Sequence, residues 1–208
     1  MKITKIEKQK KDKNRYNIFL DGEFSFGLYE DSVLKYGLRT EDELDEKKVA
    51  EMREFDEFTF GKKVAYSFLA YKQRSKKEIV KKLKLKKISS AAIDKITELL
   101  EKQKYVDDKT YAKNYLDDKL ARRPVGKRLA RLKLMEKGIE KETADNIIDE
   151  NYSGEKEYEL AQEVLKKYKK KVKCKDDADK KSKCYRHLIS KGFDYEIISK
   201  LLKIDNEQ

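Results

Sequence analysis

The sequence is poor in the residues that interrupt or cross-link a chain. Its 208 residues include one proline, eight glycines, two cysteines, one histidine and no tryptophan. So few prolines and glycines exclude many long irregular loops. Cys174 and Cys184 do not form a CxxC pair, so reduced thiols are expected. With 38% hydrophobic and 44% charged residues, neither wholesale disorder nor one thick core fits, and a thin helical protein is favoured.

Long apolar runs and catalytic motifs are also missing. No segment approaches the roughly 20 apolar residues of a membrane span. The N-terminal MKITKIEKQKK lacks the apolar core of a signal peptide, so we expect a cytoplasmic protein without a membrane partner. No GxSxG, HExxH or P-loop pattern occurs, so no enzyme is indicated. Cys174, Cys184 and His187 lack a fourth ligand at a zinc-like spacing, and we expect neither metal nor cofactor.

The N-terminal 39 residues have the pattern of a small β-sheet or hairpin. Strands are predicted over residues 2–8, 14–20 and 23–28. Asp21-Gly22, in RYNIFLDGEFSFGL, is the dipeptide of a type I′ turn, which needs positive φ at both central positions. Alternation with period two predicts that one face of the sheet carries Ile18, Leu20, Phe24 and Phe26.

Two helices are predicted next. Asp31 is expected to cap a short helix that runs through Tyr36, with Gly37 in the left-handed position at its end. Thr40 and Glu43 are spaced as a capping box for the following helix. Residues 40–57 hold nine acids against three bases. Residues 40–60 are therefore interpreted as an acidic helical linker.

From residue 61 the chain repeats. An alanine followed four residues later by a leucine occurs three times, at Ala65 and Leu69, Ala112 and Leu116, and Ala161 and Leu165. Each pair shares one helix face, and each is followed by two further short apolar patterns. Gly138 and Gly192 suit left-handed positions after the second helix of a unit. A mainly α fold is predicted, with three tandem three-helix repeats (61–106, 107–153 and 154–208) forming a short curved solenoid.

The stretch YVDDKTYAKNYL places two adjacent acids at the junction of the first and second repeats. Asp107 is suited to cap the helix that carries Tyr111 and Ala112, and Asp108 favours the positive end of its dipole. A hydrolase that uses both acids and a distant third is the alternative. Without a nearby nucleophile motif or histidine, capping is the favoured interpretation, and no catalytic residue is predicted.

Positive charge is concentrated in three windows. Residues 72–87 carry +8, residues 119–137 carry +7 and residues 166–183 carry +7, at similar places in each repeat. Stacked repeats are expected to align them as one basic stripe for a polyanionic partner. The third window has the composition of a loop, and solvated lysines are an equal alternative there.

The binding residues are predicted from the first two windows. In RSKKE, Ser75 and Glu78 form a capping box that leaves the lysines of the helix exposed. In LARRPVGKRLARLKL, arginines cluster around a helix N-terminus, itself an anion site. The candidates for binding a polyanionic partner such as DNA are Lys76, Lys77, Lys81, Lys82, Arg122, Arg123, Lys127, Arg128 and Arg131. Tyrosines at helical spacing are expected at core edges rather than as platforms for bases, namely Tyr66, Tyr71, Tyr111 and Tyr115.

These motifs together resemble the RecX regulators of the RecA recombinase. The resemblance rests on the A-x-x-x-L pairs, RSKKE, YVDDKTYA and RRPVGKRL followed by KGI, and is strongest over residues 63–148. The N-terminal ITKIEKQKKDKNRYNIFLDGEFSFGL is similar to an extension of many Gram-positive members. The lysine-rich stretch 169–183 is less typical of the family.

The resemblance implies a monomeric, non-catalytic protein of three-helix repeats that binds in the groove of the RecA–single-stranded-DNA filament. There it would modulate, and usually inhibit, strand exchange, ATP hydrolysis and the SOS response. The alternative hypothesis is a sequence-tolerant nucleic-acid-binding helical repeat that acts without a recombinase. Binding that depends on nucleic acid alone and falls steeply with salt would distinguish it.

Overall fold

The structure, a computed structural model, describes residues 1–203. Within them the chain forms three strands and then ten helices, as the mainly helical prediction requires. The strands are β1 (Ile3–Lys8), β2 (Arg15–Leu20) and β3 (Glu23–Tyr29). The helices are α1 (Glu30–Tyr36), α2 (Glu46–Tyr71), α3 (Lys76–Leu85), α4 (Ser90–Lys102), α5 (Asp108–Arg122), α6 (Lys127–Glu136), α7 (Lys141–Asn151), α8 (Gly154–Lys169), α9 (Asp177–Ser190) and α10 (Tyr195–Leu202).

The described chain divides into two units. Unit 1 comprises residues 1–74 and 79–106, and unit 2 comprises residues 75–78 and the described chain from residue 107. The sheet, α1, α2 and α4 therefore belong to unit 1, and α5 to α10 belong to unit 2. The start of α3 is grouped with unit 2, and the rest of that helix is grouped with unit 1.

The three strands form an antiparallel sheet in the order β1-β2-β3. Asp21 and Gly22 have φ of 50° and 92°, which confirms the predicted tight turn between β2 and β3. One face of the sheet is buried against Leu44 and the first half of α2. The core residues on the strands are Ile3, Ile18, Leu20, Phe26 and Leu28.

The prediction that Phe24 shares the buried face is wrong. Ile18 pairs with Phe26, but the adjacent Phe19 pairs with Phe24, so β3 carries one extra residue at a bulge. A bulge shifts the alternation of side chains along the strand. Phe24 is consequently 59% exposed and meets the ring of Phe19 edge to face.

The predicted end of α1 is confirmed, but its predicted cap is not. Gly37 has φ of 58°, as expected after the helix. Asp31 lies inside the first turn and pairs with Lys63 of α2 at 2.7 Å. The carboxylate at the start of α1 comes from buried Asp56, which accepts hydrogen bonds from the backbone N–H of Tyr29 and the hydroxyl of Ser32, both at 2.6 Å.

The capping box predicted at Thr40 and Glu43 is also wrong. Helix α2 starts later, and its cap is Asp45, which accepts a hydrogen bond from the N–H of Lys48 at 2.7 Å. The backbone of Glu43 instead forms an isolated antiparallel β-bridge with that of Lys2, beside the sheet. From Glu46 the helix continues without a break to Tyr71, so the acidic stretch and the helix of Ala65 are one element.

Three groups of three helices follow the predicted order. The cores of the three groups are formed around Ala65 of α2, Ala112 of α5 and Ala161 of α8, all fully buried. Gly138 and Gly192 follow α6 and α9 with φ of 89° and 82°, as predicted. The segment boundaries and the curved stacking stay predictions, and residues 204–208 of the predicted third repeat lie outside the described residues.

Candidate functional site

The connection between α5 and α6 places basic side chains around a buried backbone. Helix α5 ends at Arg122 and α6 begins at Lys127. The intervening Pro124-Val125-Gly126 is buried, and the hydroxyl of Tyr152 donates a 2.9 Å hydrogen bond to the carbonyl of Val125. The prediction that a helix ends before Pro124 and another begins soon after it is therefore confirmed. We call this segment, residues 122–128, the α5–α6 junction.

Some of the predicted basic residues of this region already form ion pairs with acids of the protein, and others do not. Arg122 pairs with Asp118 at 3.4 Å on the surface, and Arg131 pairs with Asp145 of α7. By contrast, Arg123 and Arg128 are exposed and form no ion pair within residues 1–203. The charge most available to an anionic partner is therefore on Arg123 and Arg128.

The N-terminus of α6 is occupied, which corrects the prediction that it is an open anion site. The side chain of Glu157, from α8, accepts a hydrogen bond from the N–H of Lys127 at 3.0 Å. The carbonyl of Gly192 accepts one from the N–H of Arg128 at 3.2 Å. The ammonium of Lys127 lies 4.0 Å from Glu157. The protein thus supplies its own carboxylate at the helix start where an anion site was predicted.

Burial governs the protonation of Glu157. The residue is 2% exposed, and burial raises the pKa of its carboxyl group. The hydrogen bond from the N–H of Lys127 opposes this rise, nearby Asp194 adds to it, and the charge of Lys127 lowers the pKa again. The net shift of this pKa is upward, so the hydrogen bond from the start of α6 offsets only part of the cost of burying the charge of Glu157.

The N-terminus of α3 has a capping box, which α6 lacks, and shares with α6 a carboxylate bound to its first N–H group. Ser75 and Glu78 form the predicted capping box, with reciprocal backbone hydrogen bonds of 3.3 Å. The N–H of Lys76 donates to Asp108 of α5 at 2.8 Å, as that of Lys127 donates to Glu157 of α8. The hydroxyl of Ser75 reaches the carbonyl of Lys137 just after α6, at 2.6 Å.

Glu78 connects the start of α3 to the next repeat. It pairs with Lys137 at 2.8 Å and accepts a hydrogen bond from the hydroxyl of Tyr111 at 3.1 Å. Burial acts to raise the pKa of Glu78, but the hydrogen bonds from Lys137, Ser75 and Tyr111 and the charge of Lys137 outweigh it and lower that pKa. The capping glutamate is therefore held in its ionised form.

The two acids of YVDDKTYAKNYL take part in capping. Asp107 accepts hydrogen bonds from the N–H groups of Lys109 and Thr110 at 3.0 and 3.1 Å, and from the Thr110 hydroxyl at 2.7 Å. The hydrogen bond from the Thr110 hydroxyl, together with those from the two N–H groups, lowers the pKa of Asp107, while burial acts in the opposite direction and is outweighed. Asp107 thus caps α5, as predicted, while Asp108 binds the start of α3.

The four predicted lysines of the first window lie in different environments. Lys77 packs against Gly138 in unit 2 and is exposed. Lys81 and Lys82 belong to unit 1, where Lys81 is exposed and Lys82 lies 5.4 Å from the ring of Phe68. Lys76 is partly buried at the start of α3. One continuous basic stripe through all windows stays a prediction.

A groove in unit 1 contains residues that the sequence patterns did not select. Its volume is about 540 Å³, and we call it the Arg74 groove. Tyr71 was predicted at a core edge, but it is the last residue of α2 and is 91% exposed. The other three predicted tyrosines agree with the prediction: Tyr111 is buried, and Tyr66 and Tyr115 are partly buried. The spacing F-x-x-Y-x-x-R, from Phe68 to Arg74, could have indicated this site. The groove is lined in part by Phe60, Phe68, Tyr71, Arg74, Lys82 and Lys86.

Residues that could hold a metal do not come together in the described part of the chain. Between residues 1 and 203, no group of three or more His, Cys, Asp and Glu side chains has the geometry to bind an ion. His187 stacks on Tyr168 at 3.9 Å between ring centroids, and Cys184 is buried. None of the helices in residues 1–203 is both long and apolar enough to cross a membrane.

These features define a class: a basic protein of tandem three-helix repeats behind a small β-sheet, with carboxylates of one repeat capping helices of the preceding one. Family models agree with this architecture. Residues 1–45 match the regulatory protein RecX N-terminal domain, residues 107–147 the second three-helix domain of RecX and residues 155–202 the third. The chain belongs to the RecX family of regulatory proteins.

Individual relatives extend over nearly the whole chain. It is 36% identical to the regulatory protein RecX of Clostridium beijerinckii, covering 97% of this chain and 94% of that protein. It is 31% identical to RecX of Staphylococcus epidermidis, over 100% of this chain and 77% of that one. These matches confirm the resemblance read from the motifs.

Two solved structures share the fold. The crystal structure of a regulatory protein RecX is 29% identical, with a TM-score of 0.66 and coverage of 98% of this chain and 99% of the other. The crystal structure of RecX from Lactobacillus salivarius is 26% identical, with a TM-score of 0.60 over 71% of this chain and 96% of the other.

Proposed function

We propose that this protein is a non-enzymatic regulator of the RecA recombinase that binds the RecA–single-stranded-DNA filament, most simply as an inhibitor. The observation that carries the proposal is membership of a family of regulatory proteins along nearly the whole chain. Binding in the filament groove would reduce strand exchange and ATP hydrolysis and would thereby affect the SOS response. We further propose that it acts as a cytoplasmic monomer.

The α5–α6 junction is the proposed contact with the filament. Its backbone is anchored by Tyr152, and the flanking Arg123 and Arg128 are exposed without ion-pair partners among the described residues. Guanidinium groups form strong, directional hydrogen bonds to phosphates and carboxylates, and a filament of protein and DNA offers both. The same surface carries three further basic residues that are already paired with acids: Arg122 with Asp118, Lys127 with Glu157 and Arg131 with Asp145.

The first experiment is a titration of the protein into RecA-coated single-stranded DNA, with ATP hydrolysis and strand exchange as readouts. Loss of activity at less than one regulator per recombinase is expected, because one bound repeat protein can contact several subunits. The Arg123→Ala, Arg128→Ala double variant should need about tenfold more protein for the same effect, because two charge-assisted contacts are removed.

The matched control changes two exposed arginines elsewhere, Arg39→Ala and Arg186→Ala, with the same loss of charge. If both double variants weaken inhibition equally, bulk charge rather than the junction is responsible. If the protein leaves filament activity unchanged but binds naked nucleic acid in a salt-sensitive way, the alternative of a general nucleic-acid-binding repeat protein replaces this proposal.

A further inference from the structure

The Arg74 groove combines a fixed cation with an unused hydrogen-bond donor. The guanidinium carbon of Arg74 lies 3.9 Å from the centroid of the Phe68 ring, which holds the group flat against the aromatic face. Its Nε atom is buried and has no hydrogen-bond partner among the described residues. A buried donor without a partner is rare and costly in folded proteins, so an anionic acceptor is the natural complement of this atom.

An exposed aromatic ring lies at the same groove. Tyr71 is the last residue of α2 and is 91% exposed, although a tyrosine ring is usually at least partly buried. Tyr29 and Phe60 also line the groove, and their rings stack on each other with centroids 4.8 Å apart. Flat aromatic groups therefore already accept stacking partners here, and the outer face of Tyr71 is open for another.

The net charge of the side chains that line the groove is positive. Lys86 is exposed and forms no ion pair within residues 1–203, and the ammonium of Lys82 lies 5.4 Å from the Phe68 ring. Lys63 is already paired with Asp31. Among the described residues that line the groove, Asp12 is the one acid. Together with Arg74, these lysines favour an anion beside the aromatic surface.

We propose that the Arg74 groove binds a nucleotide of a single-stranded nucleic acid, with its base stacked on Tyr71 and its phosphate held by Arg74 and Lys86. A base and its phosphate match the aromatic and cationic sides of the groove, whereas an acidic peptide uses only the cationic side. A duplex keeps its bases inside the stack, so only a single strand can offer both groups. The proposed binding needs no recombinase, and its residues belong to unit 1, whereas the α5–α6 junction belongs to unit 2.

The test is direct binding of a fluorescein-labelled oligothymidylate to the full-length protein without RecA, followed by fluorescence anisotropy at two salt concentrations. Tyr71→Ala should weaken binding about tenfold, because it removes one stacked base, and Tyr71→Phe should bind as the unchanged protein does. Tyr105→Ala, which changes another exposed tyrosine of unit 1 outside the groove, is the matched control. Circular dichroism of each variant verifies the fold.

The lysine is tested against its neighbour. Lys86→Gln should weaken binding and reduce the dependence of affinity on salt by about one phosphate contact. Lys84→Gln removes the same charge from an exposed lysine of α3 that does not line the groove, and it should have the smaller effect. Equal losses in these two variants would overturn the assignment of Lys86 to a phosphate.

Four results would overturn the proposal. Tyr71→Ala could bind the oligonucleotide as tightly as the unchanged protein. A duplex of the same length could bind as tightly and lose as much in Tyr71→Ala. Polyglutamate could displace the strand from the unchanged protein but not from Tyr71→Ala, which would assign the groove to an acidic polypeptide. Thymidine monophosphate could bind as tightly as the strand, which would assign it to a free nucleotide.

The filament titration separates this proposal from the regulation of RecA. If Tyr71→Ala loses binding to naked single strands but still inhibits the filament, the groove is a nucleic-acid site that acts independently of RecA inhibition. Unchanged binding by Tyr71→Ala beside intact filament inhibition overturns the groove and leaves the regulatory proposal in place.

Discussion

At the scale of residues, carboxylates from elsewhere in the chain occupy the starts of two helices. Asp108 and Glu157 each bind the first N–H group of a helix that lies about thirty residues away in the chain, in α3 and α6. A helix N-terminus carries unsatisfied donors and partial positive charge, so a carboxylate there is stabilising. Asp108, one of the two adjacent acids weighed as catalytic, therefore binds the start of a helix.

Removal of the Asp107 cap should destabilise the protein modestly. Asp107→Ala deletes the acceptor of two N–H groups of α5, and a loss of about 1 kcal/mol in the free energy of unfolding is expected. Urea denaturation followed by circular dichroism measures it. Asp117→Ala, at an exposed acid within the same helix, should change stability by much less. A similar loss in both variants would contradict the capping role.

The buried carboxyl group of Glu157 should make stability depend on pH. Its folded-state pKa is raised above the ordinary 4.5, so its contribution to stability is full below that pH and is lost as the pH rises through the raised value. Glu157→Gln keeps an acceptor for the N–H of Lys127 but cannot ionise. The variant should therefore gain stability relative to the unchanged protein as the pH rises from 4.5 towards neutrality.

The measurement is the free energy of unfolding of both proteins across that pH range. Asp107 gives the opposite sign and serves as a comparison: its pKa is lowered, so its contribution is present above the ordinary carboxyl pKa and disappears as the pH falls through the lowered one. A stability difference between Glu157→Gln and the unchanged protein that stays constant with pH would refute the interpretation.

At the scale of elements, two glycines allow α6 to meet the end of α9. The N–H of Gly126 donates to the carbonyl of Lys191 at 2.9 Å, and a Cβ atom on Gly126 would lie 2.3 Å from the carbonyl oxygen of Gly192. Gly192 has positive φ, and a Cβ atom there would lie 2.4 Å from the backbone nitrogen of Leu129. The two backbones are in direct contact here, so there is no space for a Cβ atom on either glycine.

Gly126→Ala should therefore destabilise the protein by about 1–3 kcal/mol, the usual cost of forcing atoms into a packed contact. Gly154→Ala is the control, since a Cβ atom on that glycine meets nothing within 4 Å and alanine suits a helix better. Chemical denaturation of both variants measures the difference. Equal stability of the two variants would show that the contact between α6 and the end of α9 opens at little cost.

At the scale of the whole molecule, the net charge of +12 is a property of the chain as a unit. Like charges repel one another, and the three basic windows concentrate that repulsion. Either salt or a bound polyanion relieves this repulsion. We expect salt to raise the stability of the free protein and to weaken the proposed binding of nucleic acid.

The melting temperature should accordingly rise as sodium chloride increases from about 0.05 M to about 0.5 M, over which the Debye length falls severalfold. Differential scanning calorimetry measures the shift, with a neutral solute at matched osmolality as the control. A melting temperature that falls with salt would mean that the surface ion pairs, such as Lys63 with Asp31, outweigh the repulsion.

Features that depend on neighbours in the chain could be predicted from the sequence alone. The Asp21-Gly22 turn, the cap at Asp107, the box of Ser75 and Glu78 and the three groups of three helices were all predictable. In each case the interacting groups lie within one or two helical turns, or recur at a period that needs no knowledge of the fold.

Only the tertiary structure decided which charges are free. Glu157 occupies the start of α6, Asp56 replaces Asp31 at the start of α1, and the bulge in β3 turns Phe24 outward. Arg123 and Arg128 remain unpaired within the described residues, while Arg131 does not, and Arg74 meets Phe68 at an exposed tyrosine. Each outcome depends on the position of a partner from another element, which local periodicity and propensity do not specify.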